Sequence, residues 1–249
     1  MTSRIGLAGF LAPALLLTLA AAAEQQPAPE VKPAEYQASG FFAGGSSTSG
    51  MALTGVRFGV YPDFTRMVLD LENVDPEMKL RSPATTHPVY RVEYREFPYR
   101  LVISLEGVRL DPQANVQSEP ALPFSVVTKT DLAVKQMQVF LPGPSEFKVI
   151  EIDDPAKLSI DVRSRIAAVP SVFTVQLTGP TTAAEAFALV EQRRFPPGYA
   201  PDVLVLGKLV VVEQAFQDAA AAAAIDSALH EMGYSTVINE RRGNELPQR

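Results

Sequence analysis

From Leu53 to about Arg165 apolar and polar side chains alternate with a period of two, and no helix-period segment interrupts them. In Met67-Val68-Leu69-Asp70-Leu71 the odd-numbered side chains point one way, while Arg66, Val68 and Asp70 point the other. Tyr90, Val92 and Tyr94 alternate in the same manner with Arg91, Glu93 and Arg95. The tracts Arg100 to Leu105, Val134 to Leu141, Glu146 to Ile152 and Leu158 to Val162 repeat the pattern, with Pro, Gly and Asp between them. Short strands with one apolar face bury it only against another layer, so residues 53–166 are expected to form a small all-β sandwich. Its 14 basic and 16 acidic residues between Thr54 and Ile166 nearly cancel, so broad electrostatic attraction is not its expected means of binding.

After Ala167 the period changes. Phe173 to Leu177 reads as a strand, and Thr181 to Glu191 as a helix capped by Thr181 or Thr182. Asp202 to Leu206 and Leu209 to Glu213 are apolar strands joined across Gly207-Lys208. Asp218 caps a second helix over Ala219 to Met232, which Gly233 ends, and Ser235 to Ile238 is the last strand. The order predicts a ferredoxin-like β-α-β-β-α-β domain over 171–240, followed by a disordered tail over 241–249. The expected fold class is thus a small all-β sandwich followed by an α/β ferredoxin-like domain. Two helices on one face would leave the other face of the four-stranded sheet free.

The first residues carry an address. Met1 to Arg4 is a short basic start, Ile5 to Leu19 is mostly apolar and Ala20 to Ala23 offers small residues, the order of a secretory signal peptide. Cleavage before Glu24 is expected, with an uncleaved N-terminal anchor as the alternative. Export to the periplasm or cell envelope follows either way. Residues 24–52, first proline-rich and then Gly44-Gly45-Ser46-Ser47-Thr48-Ser49-Gly50, are expected to be a flexible linker.

Composition removes most chemistry. The chain has no cysteine and two histidines, His87 and His230, which lie far apart and outside any His-Glu-x-x-His pattern. No Gly-x-Ser-x-Gly elbow is present. Asp153-Asp154 precedes Pro155 and reads as a turn rather than a pair of glycosidase carboxylates. A net charge of −6 argues against nucleic acid as a partner. The chain is therefore read as non-enzymatic, without catalytic residues, metal or cofactor. Two polar surfaces remain. Arg66, Asp70, Arg91 and Arg95 form either structural ion pairs or a recognition face. Thr174 and Gln176, with Gln214 and Phe216, are the expected glycan-facing patch, where a ring stacks on a sugar beside amide and hydroxyl groups.

The stretch Val56-Arg57-Phe58-Gly59-Val60-Tyr61-Pro62-Asp63-Phe64-Thr65-Arg66-Met67-Val68-Leu69-Asp70-Leu71 resembles the opening of AMIN domains. These are β-sandwich modules of periplasmic N-acetylmuramoyl-L-alanine amidases and of secretins. Pro98 to Gly107 and Pro155 to Val162 look like that family's later proline-then-strand segments, with Ser104 standing where an Asp is usual. Phe173 to Ile238 looks like a SPOR domain, a ferredoxin-like module that binds peptidoglycan stripped of its stem peptides. That similarity rests on Val175-Gln176-Leu177, the two alanine-rich helices and Val211-Val212-Glu213. Thr178-Gly179-Pro180 and Glu213-Gln214 depart from its usual glycine and aromatic positions. The resemblances imply an exported, non-catalytic envelope protein that binds peptidoglycan glycan strands in wall remodelling or cell division, with envelope proteins such as amidases as further partners. The alternative they leave is an accessory factor docking to a secretin or type IV pilus assembly.

Overall fold

The structure, a computed structural model, describes residues 35–116, 122–128 and 132–248. The signal segment and the proline-rich part of the linker lie outside them. Along the chain come β1 (Phe41–Gly44), β2 (Met51–Val60), β3 (Thr65–Val74), β4 (Arg81–Pro83), β5 (Tyr90–Arg95), β6 (Arg100–Leu105), β7 (Val108–Val116), β8 (Phe124–Thr128), β9 (Val134–Phe140), β10 (Ser145–Asp153) and β11 (Ala156–Ser164). There follow β12 (Ser171–Leu177), α1 (Ala183–Gln192), β13 (Asp202–Leu206), β14 (Leu209–Phe216), α2 (Ala219–Glu231) and β15 (Thr236–Arg242).

Three sheets result: five strands in the order β1-β5-β6-β9-β8, six with the path β10-β11-β3-β2-β7 and β4 beside β3, and four in the order β13-β14-β12-β15. The first two share one core, to which the six-stranded sheet gives Leu53, Met67, Leu69, Leu158 and Ile160 and the five-stranded sheet gives Val92, Leu101, Ile103 and Met137. Each such fully buried side chain contributes about 1.5–3 kcal/mol relative to exposure. Phe147 anchors this core, edge-on to Phe42 at 5.2 Å between ring centroids. In β3 the parity read from the sequence holds, with Met67, Leu69 and Leu71 buried and Arg66, Val68 and Asp70 partly exposed on the outer face.

The fold class requires correction. The protein is mostly β, with 53% strand, 11% helix, two helices and three sheets among the described residues, and not a sandwich followed by a ferredoxin-like domain. The four-stranded sheet does not stand alone as a two-layer module, because residues 34–249 form one compact unit. The helices cover one of its faces over Val175, Leu177, Val203 and Val212. On the other face Leu204 and Val211 pack on Phe140 of β9, with Leu246 from the C-terminal segment beside them. Val210-Val211-Val212-Glu213 is consequently buried at every position, as a strand covered on both sides must be. The expected free face is therefore largely occupied.

Side chains hold this third sheet to the first. The buried Gln138 of β9 donates from Nε2 to the Val203 carbonyl and accepts from the Val205 amide. Arg100 of β6, also buried, donates to Asp202 and, at 2.9 Å, to the Pro98 carbonyl. Two further expectations change here. The described part of the expected linker is structured: Gln37 bridges to Phe147, β1 pairs with β5, and Met51 and Ala52 are buried. Gly45, at φ +78°, sits where a Cβ would lie 1.9 Å from the Pro88 carbonyl oxygen, so this glycine serves close backbone approach. The expected tail is ordered from its start, since Arg241 and Arg242 end β15, Asn244 donates to the Pro142 carbonyl at 3.0 Å and Pro247 is buried.

Candidate functional site

The part of the third sheet's outer face that Phe140 and Leu246 leave open forms a cavity of about 580 Å³. Its floor comes from β12 and β15, where the register sets Thr174 beside Asn239 and Gln176 beside Val237. One wall is the loop Thr178–Thr181, and another is the segment Glu245–Gln248. Thr182 caps α1 by accepting from the Glu185 amide, while the Glu185 carboxylate accepts from the Thr181 and Thr182 amides at 2.8 and 3.2 Å. Those amides lower the Glu185 pKa below the ordinary carboxylate value and hold the loop that walls the cavity. Across the β12–β15 pair, Thr178 donates its hydroxyl to the Ser235 carbonyl at 3.1 Å.

Beside the floor lies a buried ion pair between Glu213 of β14 and Arg241 of β15, with side-chain exposures of 2% and 9%. Burial pushes the Glu213 pKa up, opposed by the charges of Arg241 and Arg100. Arg241 Nε has no hydrogen-bond partner among the described residues, so the pair is not fully satisfied. The pair ties β14 to β15 across the intervening β12, and desolvation offsets much of its Coulomb energy.

Only half of the expected glycan patch meets in this cavity. Thr174, with 1% exposure, donates to the Asn239 carbonyl at 3.4 Å, and Gln176 is partly exposed near the Asn239 amide. Gln214 and Phe216 lie on the opposite face. The register pairs Gln176 with Glu213 and Thr174 with Ala215, and directly paired residues share a face. Phe216 packs into the core beneath the helices, and the Gln214 amide braces the loop before β13 through Ala200 N and Gly198 O. Among the described residues, no aromatic ring lines the cavity.

The four residues of the expected recognition face divide between two sheets. Arg66 holds Asp161 through Nε and Nη2 at 2.6 and 2.8 Å, and Asp70 is held by Arg57, all on the six-stranded sheet. Arg91 and Arg95 belong to the five-stranded sheet, where both contact Glu93. Arg91 lies 3.5 Å from the Phe41 ring centre, and Arg95 also reaches Asp202 at 3.2 Å. Arg95 is thus part of the junction with the third sheet.

The histidines remain apart: His87 Nε2 lies 3.0 Å from the Ile152 carbonyl oxygen, and His230 meets Thr236 and Asp226. No group of three or more His, Asp or Glu residues that could hold a metal occurs among the described residues. Sequence reading missed Asn239, Glu213 and Arg241. A charged residue ending the apolar run Val210-Val211-Val212 was the available signal, because a carboxylate in a doubly covered strand needs a buried cation.

No protein-family model, curated protein or solved structure matches the chain.

Proposed function

We propose that the protein is an exported, non-catalytic component of the bacterial envelope that binds peptidoglycan glycan strands in the cavity of the third sheet. The observation that carries this reading is a cavity where the hydrogen-bonding groups of Gln176, Asn239, Thr178 and Thr181 stand beside aliphatic Val237 and Leu246, with Glu213 and Arg241 paired to each other and Glu240 and Glu245 also in the lining. Such a lining matches a neutral sugar, whose hydroxyl and acetamido groups exchange hydrogen bonds while its CH faces contact apolar carbon. A volume of about 580 Å³ lies within the usual range for small ligand sites. The AMIN resemblance of the segment around Arg66 is consistent with a place at the wall.

Co-sedimentation with purified sacculi tests the reading. Gln176→Ala with Asn239→Ala is expected to lower the bound fraction while leaving the thermal midpoint within a few degrees of the parent. Equal binding by parent and double variant would defeat it. A docking role at a secretin or pilus assembly is favoured by one separate observation. The outer edge of β15 pairs with no strand among the described residues, and Val237 and Ile238 on it are 46% and 39% exposed, a template for an added strand. Crosslinks from β15 to an outer-membrane secretin, with no sacculus binding, would select that reading.

A further inference from the structure

Three carboxylates on the outer face of the six-stranded sheet are each held by two cations. Asp70 accepts from Arg57 at 2.5 and 2.8 Å and lies 3.2 Å from Lys157 Nζ. Asp161 accepts from Arg66 and lies 3.5 Å from Lys148 Nζ. Glu146 accepts from Arg163 Nε at 2.7 Å and lies 3.6 Å from Arg165 Nε. Six cations less three carboxylates leave a formal surplus of three positive charges within these triads, in a chain whose net charge is −6.

The register turns these triads into a band. Lys148, Asp161 and Arg66 stand side by side across β10, β11 and β3, with Glu146 and Arg163 paired on one side and Lys157 and Asp70 on the other. At about 3.3 Å per residue, the six steps from Lys157 to Arg163 span about 20 Å. Rings are interleaved with the charges. Tyr36 lies 4.1 Å from the Arg163 guanidinium carbon and 4.8 Å from Lys148 Nζ. Tyr61 and Phe64 stack at 4.7 Å and flank Arg66. At the Asp70 end a hollow of about 330 Å³ opens beside Gly55. Beyond it the ratio reverses, since Arg81 is shared by Glu72 and Asp111, which bounds the positive band. Asp63, on the turn between β2 and β3, reduces the surplus without cancelling it.

We infer that this face binds an extended carboxylated glycan, whose carboxylates meet the surplus cations and whose sugar faces rest on Tyr36, Tyr61 and Phe64. What selects a glycan over a membrane surface is that the band is strand-paired, with Tyr36 and Phe64 half-buried against the sheet, and that its exposed apolar side chains beside Arg66 are confined to Val60 and Tyr61 of the β2–β3 turn, 68% and 46% exposed, short of the continuous apolar face of an inserting element. The inference goes beyond the cavity reading, because the site lies on another sheet and its ligand is charged.

The decisive variant is Lys148→Gln/Lys157→Gln/Arg165→Gln, which removes the longer-range cation of each triad and keeps the Arg66, Arg57 and Arg163 pairs that brace the sheet. With the full chain and polygalacturonate as probe, binding at low salt is expected to weaken by about tenfold or more, and the fall of affinity with salt to become shallower. The thermal midpoint reports folding, and sacculus binding through the cavity is read separately with the Gln176/Asn239 variant. Tyr61→Ala should weaken polygalacturonate but leave polyacrylate, a polyanion without sugars, unaffected. The inference fails if the parent does not bind polygalacturonate, if the triple variant binds it equally, if Tyr61→Ala weakens both polymers alike or neither, or if phosphatidylglycerol vesicles bind the parent more tightly than polygalacturonate does.

Discussion

The side chain of Gln138 replaces a strand for the backbone of Val203. Its Nε2 donates to the Val203 carbonyl at 2.6 Å, and its Oε1 accepts from the next inward amide, that of Val205, at 3.0 Å. The edge of β13 thereby has hydrogen-bond partners where it meets the five-stranded sheet.

Replacing Gln138 by Leu keeps the volume and strands two buried backbone groups. Each such group costs about 1–3 kcal/mol, so urea denaturation of Gln138→Leu should give a stability lower by about 2–6 kcal/mol. A loss below about 1 kcal/mol would show that water reaches this junction.

Glu213 and Arg241 should behave as a unit. Removing one partner leaves the other buried and charged, at a cost of about 3–5 kcal/mol, whereas Glu213→Leu combined with Arg241→Met should be less destabilising than either change alone. A double-mutant cycle from denaturation curves measures the coupling. Additive losses would mean that the two charges do not depend on each other.

Acid stability depends on Asp70 and Asp111. Burial works against ionisation of Asp70, but hydrogen bonds from Arg57 and Lys157 outweigh it and lower its pKa below 3.8. For Asp111, burial is likewise outweighed by Arg81 and the Gln113 amide. Folded pKa values below the unfolded ones mean that this stabilisation is present above about pH 4 and disappears as pH falls through the folded values. Urea midpoints recorded from neutral pH down to about pH 2 should decline less steeply for Asp70→Asn than for the parent.

Gly45→Ala should destabilise the protein more than Gly207→Ala. Both glycines have positive φ, +78° and +59°, but an added Cβ at Gly45 meets the Pro88 carbonyl oxygen at 1.9 Å, while Gly207 has nothing within 4 Å. Backbone conformation alone accounts for about 1 kcal/mol at either site, and the clash at Gly45 adds to it. Equal shifts in thermal midpoint would contradict the close approach.

What the sequence revealed was local. Parity along β3 put Arg66 and Asp70 outside, and Thr182 and Asp218 stand at the N-caps of the two helices, because these features depend on a few neighbouring residues. Features that depend on pairing were hidden. The glycan patch split because the faces of β12 and β14 coincide only through their register, and Gln176 meets Glu213 instead of Gln214. The covering of the third sheet by Phe140 and Leu246 joins residues more than 100 positions apart, beyond any periodicity. Charge totals concealed the band as well: 14 basic against 16 acidic residues sum nearly to zero, yet folding sets six cations around three carboxylates in one band of the six-stranded sheet.

Covering β14 on both sides also decides where this protein is free to change. A strand with one wet side can exchange outward residues that hold no partner without disturbing its packing, and the position of Val68 on the six-stranded sheet has that latitude. Val210 to Glu213 have none, for whichever side a new residue faces, it enters a filled interior. New ligand preferences can therefore arise on the outer sheet by single substitutions, while the third sheet admits novelty only at its rim, in the loop 178–181 and in the segment that follows β15.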